Sequence, residues 1–208
     1  MPLPPAREGI VFAPGTSEVS LDFLLSELAR TTGQELTLDM LARKRLAKEL
    51  ISLTRTDPVP AEEVYTFVES LVVQKGVLLA PLKGGSRPVM GVLWSGPEAR
   101  NSFPPILDPL VVPISLTSEA AEHPALFVRM LVNLRNVDTR QLQTQLRQLL
   151  VDTTGTNNVV PAGERTLILQ GRATYIAGLV QQLLEMDAAI GRGETPPPLQ
   201  VEAEKGGR

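Results

Sequence analysis

Residues 131–187 read LVNLRNVDTRQLQTQLRQLL, then VDTTGTNN, then VVPAGERTLILQGRATYIAGLVQQLLEMD. An apolar strand leads into a helix that Asp138 or Thr139 can cap through a side-chain oxygen. Leu142, Leu146, Leu149 and Leu150 fall at i, i+4, i+7 and i+8, one apolar stripe. Gly155 and the Asn157-Asn158 pair turn the chain. Val159-Val160 and Leu167-Ile168-Leu169 are short β-prone runs with Gly163 between them, which predicts a hairpin closed by Gly171. Ile176, Leu179, Val180, Leu183 and Leu184 make a second stripe. Two one-faced helices and a small sheet specify a two-layer α+β unit of order β-α-β-β-α. It holds no residue set suited to chemistry on a substrate.

The N-terminal half predicts a second unit of the same class. Ile10-Val11-Phe12 reads as a short strand, and Ser20 can cap a helix whose face is Leu21, Leu24, Leu25 and Leu28. Residues 35–38 and 50–53 read as strands, and residues 41–48 as a short basic helix. Pro58 and Pro60 introduce a helix with Val64, Phe67, Val68, Leu71 and Val72 inward, and Gly76 stops it. Residues 77–82 and 89–93 then form a hairpin about Gly84-Gly85-Ser86. Proline clusters at 2–5, 104–105 and 196–198 mark loose connections. The expected organisation is a flexible N-terminus over 1–8, a first domain over 9–95 and a Pro-rich linker over 96–124 with one candidate strand at 110–114. A second domain over 125–190 and a disordered tail over 191–208 complete it.

Composition narrows the functional classes. A chain of 208 residues with 43% hydrophobic content can bury two small cores. Residues 7–95 carry ten basic and eleven acidic groups, net −1, and residues 125–190 six and five, net +1. Neither half has the positive charge that grips nucleic acid. The absence of cysteine excludes disulfides, thiol nucleophiles and thiolate metal sites. No run approaches the roughly 20 apolar residues of a membrane span. Residues 1–7 lack the basic start and apolar core of a secretory signal.

The candidates for chemistry are few. His123, the single histidine, stands before Pro124 in the proline-rich stretch and reads as a solvated linker residue. Glu62-Glu63 suits the start of a helix, where acids favour the dipole. Gly84-Gly85-Ser86-Arg87 lacks the ending of a phosphate loop and reads as a turn. Arg43-Lys44-Arg45 with Lys48 reads as a solvated helix face, with a partner-docking patch as the alternative. Trp94, the single tryptophan, is expected at the edge of the first domain. No catalytic, cofactor-binding or metal-binding residue is assigned.

One family carries this order of elements. Leu134-Arg135-Asn136-Val137, the helix ending Leu149-Leu150, Asn158-Val159-Val160, residues 166–171 (TLILQG) and the closing residues 183–187 (LLEMD) resemble the periplasmic N-domains of secretins. The likeness is strongest to the type II secretion secretin, the general secretion pathway protein D family. Arg165-Thr166 departs from it where an Asn is usual. The first unit resembles the short N-terminal domain shared by secretins and TonB-dependent receptors, and the second is KH-like. The resemblance implies no enzyme and no cofactor. It implies a periplasmic or outer-membrane-associated ring and docking module, homo-oligomeric in the assembled ring, with an inner-membrane component and a channel-forming secretin as partners. Open sheet edges suit strand addition, and the expected edge comprises Ile10, Val11, Phe12, Val77, Leu79, Val89 and Val92. Residues after Asp187 offer none of the long alternating strands of a barrel, so the channel lies further along the chain or in a separate one. The alternatives are a signalling or adaptor domain of the TonB-receptor kind and, lower, a KH-type RNA binder. The loop at 151–158 lacks the GxxG that clamps RNA in KH domains.

Overall fold

A computed structural model describes residues 3–38, 40–54, 57–82, 89–94, 111–140, 142, 146 and 157–199. The first unit begins with β1 (Glu18–Ser20), which runs into α1 (Leu21–Thr32). Ser20 caps α1 by accepting from the Phe23 N–H at 3.1 Å, and Gly33 ends it at φ 70°, a conformation open to glycine at little cost. Leu21, Leu24, Leu25 and Leu28 are buried as their spacing requires. At about 1.5–3 kcal/mol each, these four dominate the helix's anchoring. β2 (Glu35–Thr37), α2 (Met40–Leu46) and β3 (Leu50–Ser52) follow, then one 3-10 turn and α3 (Val64–Gln74). The hairpin is β4 (Val77–Leu82) with β5 (Val89–Trp94). β1 pairs with β3, and the remaining strands make a sheet of order β2-β5-β4 in which β2 is parallel to β5.

The second unit is a four-stranded sheet of order β6-β7-β9-β8. Its strands are β6 (Val111–Val112), β7 (Phe127–Asn133), β8 (Asn158–Pro161) and β9 (Thr166–Arg172). α4 (Thr117–Ala121) and α5 (Ala173–Gly191) pack on one another, and α5 lies against β7 and β9. β6 and α4 lie within the stretch expected to be a linker, so part of that stretch is built into the second sheet and its helix layer. Helical residues at Thr139, Arg140, Leu142 and Leu146 mark the helix expected after Asp138, whose carboxylate accepts from the Arg140 N–H. Leu149-Leu150, the turn at 151–156, the glycine turn at 84–86, the Pro104-Pro105 pair and residues 200–208 lie outside the described residues.

Several local expectations shift. The strand expected at Ile10-Val11-Phe12 is a single antiparallel bridge, Ile10 to Val59. Val59 stands between Pro58 and Pro60, which have no N–H to extend a ladder. β9 runs through Gly171 rather than stopping there. Leu183 is fully buried, whereas Leu184 is partly exposed and Met186 turns inward instead. The N-terminus, expected to be loose, is held at two points: Pro4 C=O accepts from the Tyr65 hydroxyl, and the Arg7 N–H donates to Thr31 C=O.

Candidate functional site

The residues expected to form a partner edge are divided by the fold. Ile10 and Phe12 are buried, and Ile10 exchanges both backbone bonds with Val59. Val11 alone of the three faces solvent, at 71% exposure. Val77 and Leu79 are buried on β4, while Val89 and Val92 lie half-buried on β5. β5 has β2 on one side and β4 on the other, so it offers no edge. The outer side of β4 is engaged as well: the Leu79 N–H donates to Ala125 C=O at 2.8 Å, and Leu79 bridges Leu126. Among the described residues, the strand edges without a pairing partner are the outer sides of β2, β6 and β8 and those of the small β1–β3 sheet.

Exposed apolar side chains lie elsewhere. Leu50 on β3, 48% exposed, is opposite Ser20, the cap of α1, and Phe23 stands in the first turn of that helix. Phe23 is also in ring contact with Phe12, which packs on Phe67. The basic cluster is partly occupied within the first unit. Arg43 approaches Asp22 at 3.6 Å, and the Arg45 guanidinium lies 5.9 Å from the centre of the Trp94 ring. In the second unit Arg135, Arg140 and Arg165 line an open cleft of about 350 Å³ together with Asp138 and Glu164. The mixed charge and open shape suit a polar contact with a surface, not enclosure of a small molecule.

The junction between the units holds a buried polar cluster. Glu69 on α3 is wholly buried. Its Oε1 is 2.9 Å from His123 Nδ1, and its Oε2 accepts from the Ala125 N–H at 3.3 Å. The ring of Tyr65, one turn before Glu69, meets the imidazole edge-on at 5.6 Å. Burial lifts the Tyr65 phenol far above its ordinary pKa, Glu69 adding to the effect against a hydrogen bond to Thr32. His123 is therefore not a solvated linker residue: its side chain is 19% exposed and it closes the junction. The sequence signal that could have found the pair is Glu69 itself. It directly follows Val68 on the inward stripe of α3, and a buried carboxylate requires a partner. Beside His123 lies a cavity of only about 20 Å³, room for about one water and no substrate. Among the described residues no group of three His, Asp or Glu side chains gathers to hold a metal. No described helix is long and apolar enough to cross a membrane.

No protein family is matched by the sequence, and no curated protein matches it either. The fold has solved counterparts. A chain of the Klebsiella pneumoniae type II secretion outer-membrane complex, which contains PulD, PulS and the PulC HR domain, superposes over 85% of this chain at a TM-score of 0.59 and 19% identity. This chain has the fold of a type II secretin N-terminal region. It spans 27% of that Klebsiella chain. The enterotoxigenic Escherichia coli GspC–GspD complex matches over 87% of this chain and 98% of its own, at 16% identity and a TM-score of 0.32. The N-terminal domain of the secretin XcpQ from Pseudomonas aeruginosa matches over 86% and 68%, at 15% identity and a TM-score of 0.29. The likeness in fold rests on the Klebsiella superposition, which covers most of this chain.

Proposed function

We propose that this chain is a periplasmic docking and ring-building segment of a type II-like secretion system, which assembles with its own copies and with an inner-membrane component. The observation that carries this reading is the superposition of both units, in order, on a chain of the Klebsiella outer-membrane complex. The surface chemistry agrees with it. The chain presents short open strand edges and scattered exposed apolar groups, and its described cavities are too small or too open to hold a substrate. Of the partner edge expected from the sequence, Val11 remains available for side-chain contact. Phe23 and Leu50, the other large exposed apolar side chains among the described residues of the first unit, are the further apolar candidates for docking. The outer edge of β8, where Val160 is exposed, is the corresponding candidate for contact between copies.

The test is a titration of the chain with the periplasmic region of a type II inner-membrane component, read by calorimetry and by light scattering. A complex, or concentration-dependent self-association, is expected. Val11→Asp with Leu50→Glu should weaken the complex at unchanged thermal stability. A chain that stays monomeric at high concentration and binds no such partner would sink the reading.

A further inference from the structure

We propose that Glu69 and His123 form a proton-gated clamp across the junction, holding the two units as one body while His123 is charged and loosening them as that charge is lost. The geometry comes first. Glu69 belongs to α3 of the first unit, and His123 follows α4 of the second. One carboxylate reaches both His123 Nδ1 and the Ala125 N–H, and Ala125 C=O in turn accepts from the Leu79 N–H on β4. Three hydrogen bonds therefore cross the junction: Glu69 with His123, the Ala125 N–H to Glu69, and the Leu79 N–H to Ala125 C=O, the last two sharing residue 125.

The chemistry gives this arrangement its direction. A carboxylate only accepts, so Nδ1 carries the hydrogen in the bond to Glu69. That bond survives in the neutral imidazole but loses its charge assistance, leaving a buried carboxylate facing a neutral donor. Among the described residues, the titratable groups around His123 are Glu69 and Tyr65 from α3, Glu119 from α4 and Glu122 just after it. Burial alone would pull the imidazole down. The hydrogen bond and charge of Glu69, backed by Glu122 and Glu119, outweigh it and hold His123 above its ordinary pKa. A group raised on folding contributes fully below its unfolded value, near 6.5, and its contribution fades as pH rises through the folded value. The clamp is tight in mild acid and slackens toward alkaline pH.

The experiment is an NMR titration of the full chain. His123 is its only histidine, so the ring signals need no assignment by mutation. Amide exchange at Ala125 and Leu79, corrected for the intrinsic pH dependence, reports junction opening. The ring should titrate above pH 6.5. Protection at both amides should fall over the same range, by about tenfold for each unit that the ring midpoint lies above its ordinary value. Glu69→Gln should lower the midpoint and flatten the protection profile, and His123→Gln should flatten it too. The proposal is overturned if the wild-type ring titrates at or below the ordinary value, or if both amides keep constant protection while it titrates. It is equally overturned if the pH dependence of protection persists in His123→Gln. The wild-type titration decides even where a variant fails to fold.

Discussion

Glu69 and His123 are 54 positions apart in sequence and 2.9 Å apart in space. Replacing His123 by Ala leaves the buried carboxylate with the Ala125 N–H alone. That loss should destabilise the chain by about 1–3 kcal/mol. Because the imidazole is raised in the folded chain, the gap between wild type and His123→Ala should be widest below about pH 6.5 and narrow as pH climbs. Urea unfolding at pH 6 and pH 9 measures both, and a gap that widens with pH would contradict the assignment. Asp187 is the second residue whose burial has a purpose. Its two carboxylate oxygens accept from the N–H groups of Arg135 and Asn136 at 3.0 and 2.7 Å, and Asn136 Nδ2 donates back to Asp187 C=O. Asp187→Ala orphans two donors where the chain leaves β7, and a loss of about 1–3 kcal/mol is expected in the same assay. Asp187 was legible as the closing aspartate of the secretin-like pattern. Its role was not, because its partners lie 51 and 52 positions upstream, and only the tertiary fold brings them to the end of α5. Gly171 was legible in the same partial way. A Cβ there would run into the side chain of Asn157, whose Oδ1 also accepts from the Arg172 N–H. Its φ of 159° is also one that L side chains rarely adopt, so backbone conformation and close approach both favour glycine there.

Elements with a strong period were the most legible. α1 follows from four leucines, a serine cap and a glycine stop, each local and each acting in the same direction. α5 shows where periodicity runs out. Leu183 and Leu184 both fit a stripe with Leu179 and Val180, yet a helix advances 100° per residue and the sheet covers only one side. The structure buries Leu183 completely and leaves Leu184 about one-third exposed, at 37%. Leu183→Ala should therefore cost about 2–5 kcal/mol, whereas Leu184→Ala should cost clearly less, about 1 kcal/mol. Thermal unfolding of the pair decides it, and equal losses would mean that α5 is rotated from the position described. Strand pairing was less legible than helix faces. β5 is central because β2 joins it from across the unit in parallel, a contact that no local signal encodes. The hairpin expected to present a free edge is consequently closed on both sides, by β2 along β5 and by the junction at Leu79.

At the scale of the whole molecule, the two sheets share an apolar seam as well as a polar one. Phe127, at the start of β7, is buried with Leu78 and Ala80 of β4 and Leu93 of β5. Its ring belongs to the second sheet by sequence and to the first by packing. The sequence identified two α+β units but not this coupling, since an aromatic at the start of a strand looks the same whether it faces its own core or a neighbour's. The coupling has a thermodynamic consequence. With seam and clamp intact, neither unit can lose its structure without stripping buried apolar surface from the other, so both should unfold together. Phe127→Ala removes the largest side chain of the seam, at a cost of about 3–5 kcal/mol, and should uncouple them. The chain supplies its own probe: Trp94, its single tryptophan, ends β5 and reports on the first unit, while far-ultraviolet circular dichroism reports on both. In urea at pH 9, where the clamp is slack, the two signals should trace one transition in the wild type, held by the seam, and two displaced transitions in Phe127→Ala. Signals that still coincide in the variant would show that the seam does not couple the units and that the rest of the junction suffices to hold them together.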